Sequence, residues 1–136
     1  MVSQRTRDRL IESLPMVRRF REEIVRRMAI NLRGVDGEWE PFGRSEVAAT
    51  ALTDLLIDSA TRIASSGNFS DLEGVLQEHR SAGIDGRHYS RFGDAIRPTL
   101  VDVLGVGVPR EVSSAWIDTF WAVVRAARAS RETASG

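Results

Sequence analysis

The sequence predicts a single all-α domain, and three observations carry that prediction. Apolar residues recur at three- and four-residue spacing through most of the chain, serine or aspartate precedes the periodic segments, and glycine follows them. No internal repeat, low-complexity tract or interdomain linker interrupts the pattern, so residues 1–136 are expected to form one domain, with about 130–136 as a frayed tail. A chain of 136 residues can bury a core and line a pocket without disulfides or structural metals.

Ser3 can cap a first helix that runs to about Leu14, with Leu10, Ile11 and Leu14 on one side, and Pro15 is expected to break it or to start a new one. In the second helix Met16, Phe20, Ile24, Met28 and Leu32 recur every four residues, most arginines fall outside the stripe, and Gly34 ends it. Residues 34–43 form a turn-rich connection whose Trp39 and Phe42 can dock it onto the domain. Ser45 can cap a third helix of about twenty residues, with Ala48, Ala51, Leu52, Leu55, Leu56, Ser59 and Ile63 on one face and Gly67 beyond its end. Small residues on that face allow close approach.

The stretch Ser70-Asp71-Leu72-Glu73 has the spacing of a capping box, predicting a short helix that carries Leu72, Val75, Leu76 and His79 inward and closes near Gly83. A longer helix starts near Asp85 and turns Tyr89, Phe92, Ile96, Leu100 and Val103 inward, with Pro98 predicting a bend. The last helix starts at Pro109 and presents Val112, Ala115, Trp116, Thr119, Phe120, Val123 and Ala127.

The balance of charge limits the classes of partner. Nineteen basic and nineteen acidic residues cancel, giving no electrostatic reason to expect nucleic acid or an anionic membrane. All the basic residues are arginine, which codon bias explains more simply than a demand for bidentate contacts. No apolar run is long enough to cross a bilayer, the amino terminus lacks the apolar stretch of a secretory signal, and there is no cysteine for disulfides or thiolate sites. The expected location is cytoplasmic.

Of the two histidines, His79 is the one in line with an apolar helical face. A protein-only metal site needs three or four ligands at suitable spacing, and no HExxH or paired Glu-x-x-His arrangement occurs. One neutral imidazole suffices to ligate heme, because one nitrogen binds iron while the other is oriented by the protein. Taken alone, such a histidine is more often a hydrogen-bonded core residue. Its surroundings change that weighting. The run His79-Arg80-Ser81-Ala82-Gly83-Ile84, then His88-Tyr89, Phe92-Gly93, Leu104-Gly105 and Ala115-Trp116, resembles the proximal half of the single-domain bacterial hemoglobins and of the globin domain of flavohemoglobins. The likeness extends through Ser13-Leu14-Pro15 and the second helix to Pro41-Phe42, and so covers most of the chain.

That resemblance implies a globin-like fold, with helices packed around a pocket for heme b (iron protoporphyrin IX). His79, four residues before a Gly-Ile pair, matches the iron ligand, and Tyr89 matches the tyrosine that follows it. Phe42 would be the aromatic against the heme face, with Trp39 as the alternative. Phe92, Ile96 and Trp116 would build the pocket or the core behind it. Arg80, Arg87 or Arg91 could pair with propionates, although a solvated arginine face explains each of them as well.

On the distal side the family commonly places a tyrosine in the second helix and a glutamine or histidine in the helix that crosses the heme. Here the corresponding positions are Ala29 and the group Val47, Ala48, Ala51 and Leu52, with Arg44 or Thr50 as the nearest polar side chains. Losing a buried hydrogen bond to a partly charged O₂ costs about 1.5–3 kcal/mol, roughly ten- to a hundredfold in affinity. CO and NO would lose less. On the proximal side the family's glutamate falls near Arg131, beside Glu132. No nicotinamide or flavin fingerprint such as GxGxxG occurs, so redox turnover would need an external reductase.

Three functions follow. The first is reversible binding of a diatomic gas (O₂, NO or CO) for transport, storage or sensing, by a monomer or a homodimer. The second is nitric oxide dioxygenation with an external electron donor. The third is a heme-free globin-fold module for regulation or interaction.

Overall fold

The computed structural model describes residues 2–33, 44–68, 72–105 and 107–135, excepting the side chains of 44, 73 and 129–135. The described residues form six α-helices and no strand: α1 (Gln4–Arg19), α2 (Arg21–Asn31), α3 (Arg44–Ser66), α4 (Glu73–Ser81), α5 (Gly86–Leu104) and α6 (Arg110–Ser135). The all-α expectation therefore holds, and helix boundaries account for most of the differences.

Ser3 caps α1 as expected, its hydroxyl accepting the Thr6 N–H at 3.1 Å. The helix does not stop at Pro15 but continues to Arg19, and the chain breaks at Phe20 (φ −102°, ψ 19°). Pro15 lies on the exposed side, where water can satisfy the Ile11 carbonyl that proline leaves without an intrahelical donor. One consequence is a shift of face. Leu10, Leu14 and Val17 are buried, whereas Ile11 and Met16, expected inward, are about half exposed. Pro98 is likewise exposed, and α5 runs through it.

Helix α3 is the centre of the packing, touching each of the other five. Its small residues explain how: Ala48, Ala49 and Ala60 are fully buried and let neighbouring backbones approach, while Leu52 and Ile63 fill the space between them. Helix α1 packs on α3 and α6, α2 on α3 and α5, and α5 on α6. Fully burying each large apolar side chain, such as Leu10, Met28, Phe92, Ile96 or Phe120, contributes about 1.5–3 kcal/mol before entropy is counted. Trp116 is buried without stranding its indole, whose N–H donates to the Ser13 hydroxyl at 2.8 Å and ties α6 to α1.

Pro109 sits just before α6 rather than inside it; its carbonyl accepts from Val112 N–H at 3.0 Å. At the other end α6 continues to Ser135, past the fraying expected after Ala129, because no glycine or proline interrupts the helix before Gly136. The loop 34–43, with Trp39 and Phe42, lies outside the described residues. So do Ser70 and Asp71 of the expected capping box; the residue before α4, Leu72, makes no side-chain cap bond.

Candidate functional site

His79 occupies the last turn of α4, and two local devices fix it. The first is the helix end. Gly83 takes a left-handed conformation (φ +84°), which lets Ile84 N–H reach the His79 carbonyl at 2.9 Å and Gly83 N–H reach the Arg80 carbonyl at 3.0 Å. This is a Schellman closure, and Ile84 is buried beside it. The second device acts on the ring: His79 Nδ1 lies 2.9 Å from the Tyr89 hydroxyl in the first turns of α5. Tyr89 in turn stacks obliquely on Phe120, which meets Phe92 and the edge of Trp121. The imidazole is thus backed by an aromatic chain reaching into α6.

Burial sets the protonation of the pair. His79 is 4% exposed, and desolvation pushes its pKa below the ordinary 6.5, with Glu78 opposing. Desolvation also raises the Tyr89 phenol, against the nearby charge of Arg80 and with Asp85. Both groups are therefore neutral near pH 7. One arrangement has Nδ1–H donating to the phenol oxygen, which leaves a lone pair on Nε2; the other has the phenol donating to Nδ1, which leaves Nε2–H. In either case Nε2 has no partner among the described residues.

His79 lines a cavity of about 400 Å³ between α3 and α4, within the range of about 300–1,000 Å³ usual for small-molecule sites. Helix α3 contributes Ala51, Leu55 and Ser59; α4 and its flanks contribute Leu72, Val75 and Ala82. Leu55, Ser59 and His79 are buried, whereas Asp58, Arg62 and Glu78, which also line the cavity, are exposed. The cavity therefore has a buried floor and a charged rim. Asp54 belongs to that rim, but its carboxylate accepts from Arg21 Nε at 2.7 Å and Nη2 at 2.8 Å.

The structure separates the residues singled out from the sequence. His79 and Ala51 face this cavity. Ala29, Ala48, Leu52, Phe92 and Ile96 are buried within the main core, packed on one another and not in this lining. Tyr89 and Arg80 line a second cavity on an adjacent face of α4. Val47 is half exposed, and the Thr50 hydroxyl donates to the Glu46 carbonyl at 2.8 Å. Phe42 lies outside the described residues, as does the Arg44 side chain.

Two features were missed in the sequence. His88 is also buried, and its Nδ1 accepts the Asp85 N–H at 3.1 Å within a capping box that starts α5. Its register with Phe92 and Ile96, at four-residue steps, was the available signal. The second feature is the polar rim, for which the spacing Asp54, Asp58, Arg62 along one face of α3 was the clue. Among the described residues no cluster of three or more histidine, aspartate or glutamate side chains could hold a metal ion. No helix of the described residues is long and apolar enough to cross a membrane. Compared with protein-family models, curated proteins and solved structures, the chain finds no match.

Proposed function

We propose that this chain is a globin-like protein whose α3–α4 cavity holds heme b through His79, and that it reversibly binds a diatomic gas. One observation carries the reading: a buried, neutral imidazole has one nitrogen held by Tyr89 and lines a cavity of ligand-site size. A metal-ligating histidine characteristically has its other ring nitrogen hydrogen-bonded, which fixes the tautomer and the ring orientation. The helix packing supports the same reading as a six-helix version of the globin plan, in which eight helices pack pairwise around the heme.

The residues present supply an axial ligand and one apolar wall, while the cavity of about 400 Å³ is smaller than a whole heme, which would seat there only if α3 and α4 part. When bound, heme would supply an iron centre with a coordination position open to O₂, NO or CO. The chain's own part is positional. In the arrangement where His79 Nδ1–H donates to the Tyr89 hydroxyl the Nε2 lone pair would be free for iron, burial would keep the ring neutral, and Ala51, Leu55 and Val75 would form the apolar wall. Arg62 stands at the rim, where an acidic ligand edge would lie. Ala51 stands where the family commonly places a polar side chain, and the buried hydroxyl of Ser59 is the polar group of the α3 wall below the rim.

The rim also favours a second reading. Asp58 and Glu78 put carboxylates where propionates would be expected, which disfavours heme and supports a heme-free regulatory or interaction module on the same helical frame. Titration of the whole chain with hemin, followed by visible absorption in ferric, reduced and CO-bound forms, separates the two. Stoichiometric binding with histidine-ligated bands that His79→Ala alters supports the globin reading. Non-saturating uptake with identical spectra in a folded His79→Ala variant overturns it and leaves the heme-free module.

A further inference from the structure

A second cavity, of about 270 Å³, lies on an adjacent face of α4. Its wall is aliphatic, built by Leu76, Ile84, Val123, Val124 and Ala127, with the Tyr89 side chain at one side. Arg80 from α4 and Arg128 from α6 also line it, and neither has an ion-pair partner among the described residues. The third charged group of the lining is Asp85, already engaged by Arg87 through the backbone N–H at 2.9 Å and Nη2 at 2.9 Å. Asp85 is therefore neutralised by its neighbour, and the charge presented to a ligand is that of two guanidinium groups.

An aliphatic chamber beside two arginines matches an amphipathic anion. We propose that this cavity binds a medium-chain aliphatic carboxylate, with the alkyl chain among the residues of α4 and α6 and the carboxylate between Arg80 and Arg128. The volume limits chain length: at the roughly 30 Å³ that a small group occupies in a liquid, the cavity holds about nine non-hydrogen atoms, close to hexanoate or octanoate. Guanidinium is suited to the head group because its planar fork meets a carboxylate with paired hydrogen bonds.

The site is coupled by construction to the first cavity. Leu55 lines both, and Tyr89, part of the second lining, is the group that holds His79 Nδ1. A bound alkyl chain would press on Tyr89 and shift the environment of the imidazole. This does not depend on what the His79 cavity binds.

The test is a calorimetric and NMR titration of the full chain with hexanoate, octanoate, dodecanoate, octanol and octylamine. Affinity should rise roughly fourfold per added methylene from hexanoate to octanoate and then level off or fall at dodecanoate, where the chain exceeds the chamber. Octanoate should also move the His79 imidazole resonances. Replacing both arginines (Arg80→Gln with Arg128→Gln) should weaken octanoate about ten- to a hundredfold while leaving octanol nearly unchanged. Ala127→Phe, which fills the chamber, should remove both ligands from a protein whose melting curve shows it folded. Octylamine binding as well as octanoate would overturn the proposal. So would affinity that climbs steadily through dodecanoate regardless of the variants, or no saturable binding of octanoate at all.

Discussion

Gly93 and Trp121 offer the sharpest test of the packing. A Cβ added at Gly93 would stand 2.4 Å from Trp121 Cζ2 and 2.9 Å from Cε2, against an ordinary carbon contact of about 3.5–4.0 Å. The ring would have to move by roughly 1 Å, and it is not free to do so, because it also meets Phe120 edge-on at 5.3 Å between centroids. Overpacking of this kind costs about 1–3 kcal/mol, while alanine in place of a helical glycine returns about 1 kcal/mol. The severity of the clash places Gly93→Ala at a net loss of about 1–2 kcal/mol, a fall in Tm of about 3–10 °C for a domain of this size. On a Trp121→Leu background the obstruction is gone, so the same substitution should stabilise by about 1 kcal/mol. A double-mutant cycle measured by urea unfolding should then give a coupling of about 2–3 kcal/mol. Stabilisation by Gly93→Ala in the wild type, or a coupling below about 0.5 kcal/mol, would refute the close approach of α5 and α6 at this point.

Two further outcomes are expected. Thr53 is 1% exposed and its hydroxyl has no hydrogen-bond partner among the described residues, so the near-isosteric Thr53→Val should raise stability by about 0.5–2 kcal/mol. The check is a higher urea midpoint at unchanged slope, and a lower midpoint would show that the hydroxyl is satisfied. For His79, whose native pKa lies below the unfolded value of 6.5, the unfolded chain takes up the proton first as pH falls. The stabilisation is complete above that value and declines from about pH 6.5 down to the native pKa, so the drop in urea midpoint between about pH 8 and about pH 5 should shrink in His79→Gln. An unchanged drop would show that the ring is not desolvated.

The helical class was legible because periodicity and capping residues act locally: Ser3, Asp85 and Gly83 each do in the structure what their chemistry predicts. Pro15 was misread for the opposite reason. Whether a proline breaks a helix depends on which side of it faces water, and that is decided by packing elsewhere in the chain. The same limit applies to the site. His79 and Tyr89 are both singled out by the resemblance, and the short connection between the helices that carry them lets the imidazole Nδ1 and the phenol hydroxyl meet at 2.9 Å. The apolar residues placed beside them rest on the resemblance, which does not tell apart the several faces that α3 buries at once. Ala48 and Leu52 meet the core, whereas the stripe Ala51, Leu55, Asp58, Ser59 and Arg62 opens onto the cavity.

Helix α4 is nine residues long, shorter than the roughly 12–15 that an isolated helix needs to persist in water. Its neighbours leave cavities on two adjacent faces instead of a continuous seam. The order of this segment is therefore borrowed: Ile84 anchors its carboxyl end, Tyr89 anchors its ring, and little else within the helix resists local opening. A molecule seated on either face of α4 would add the missing contacts and raise the free energy of that opening, so that occupancy is converted into local rigidity with the backbone path of the helix unchanged.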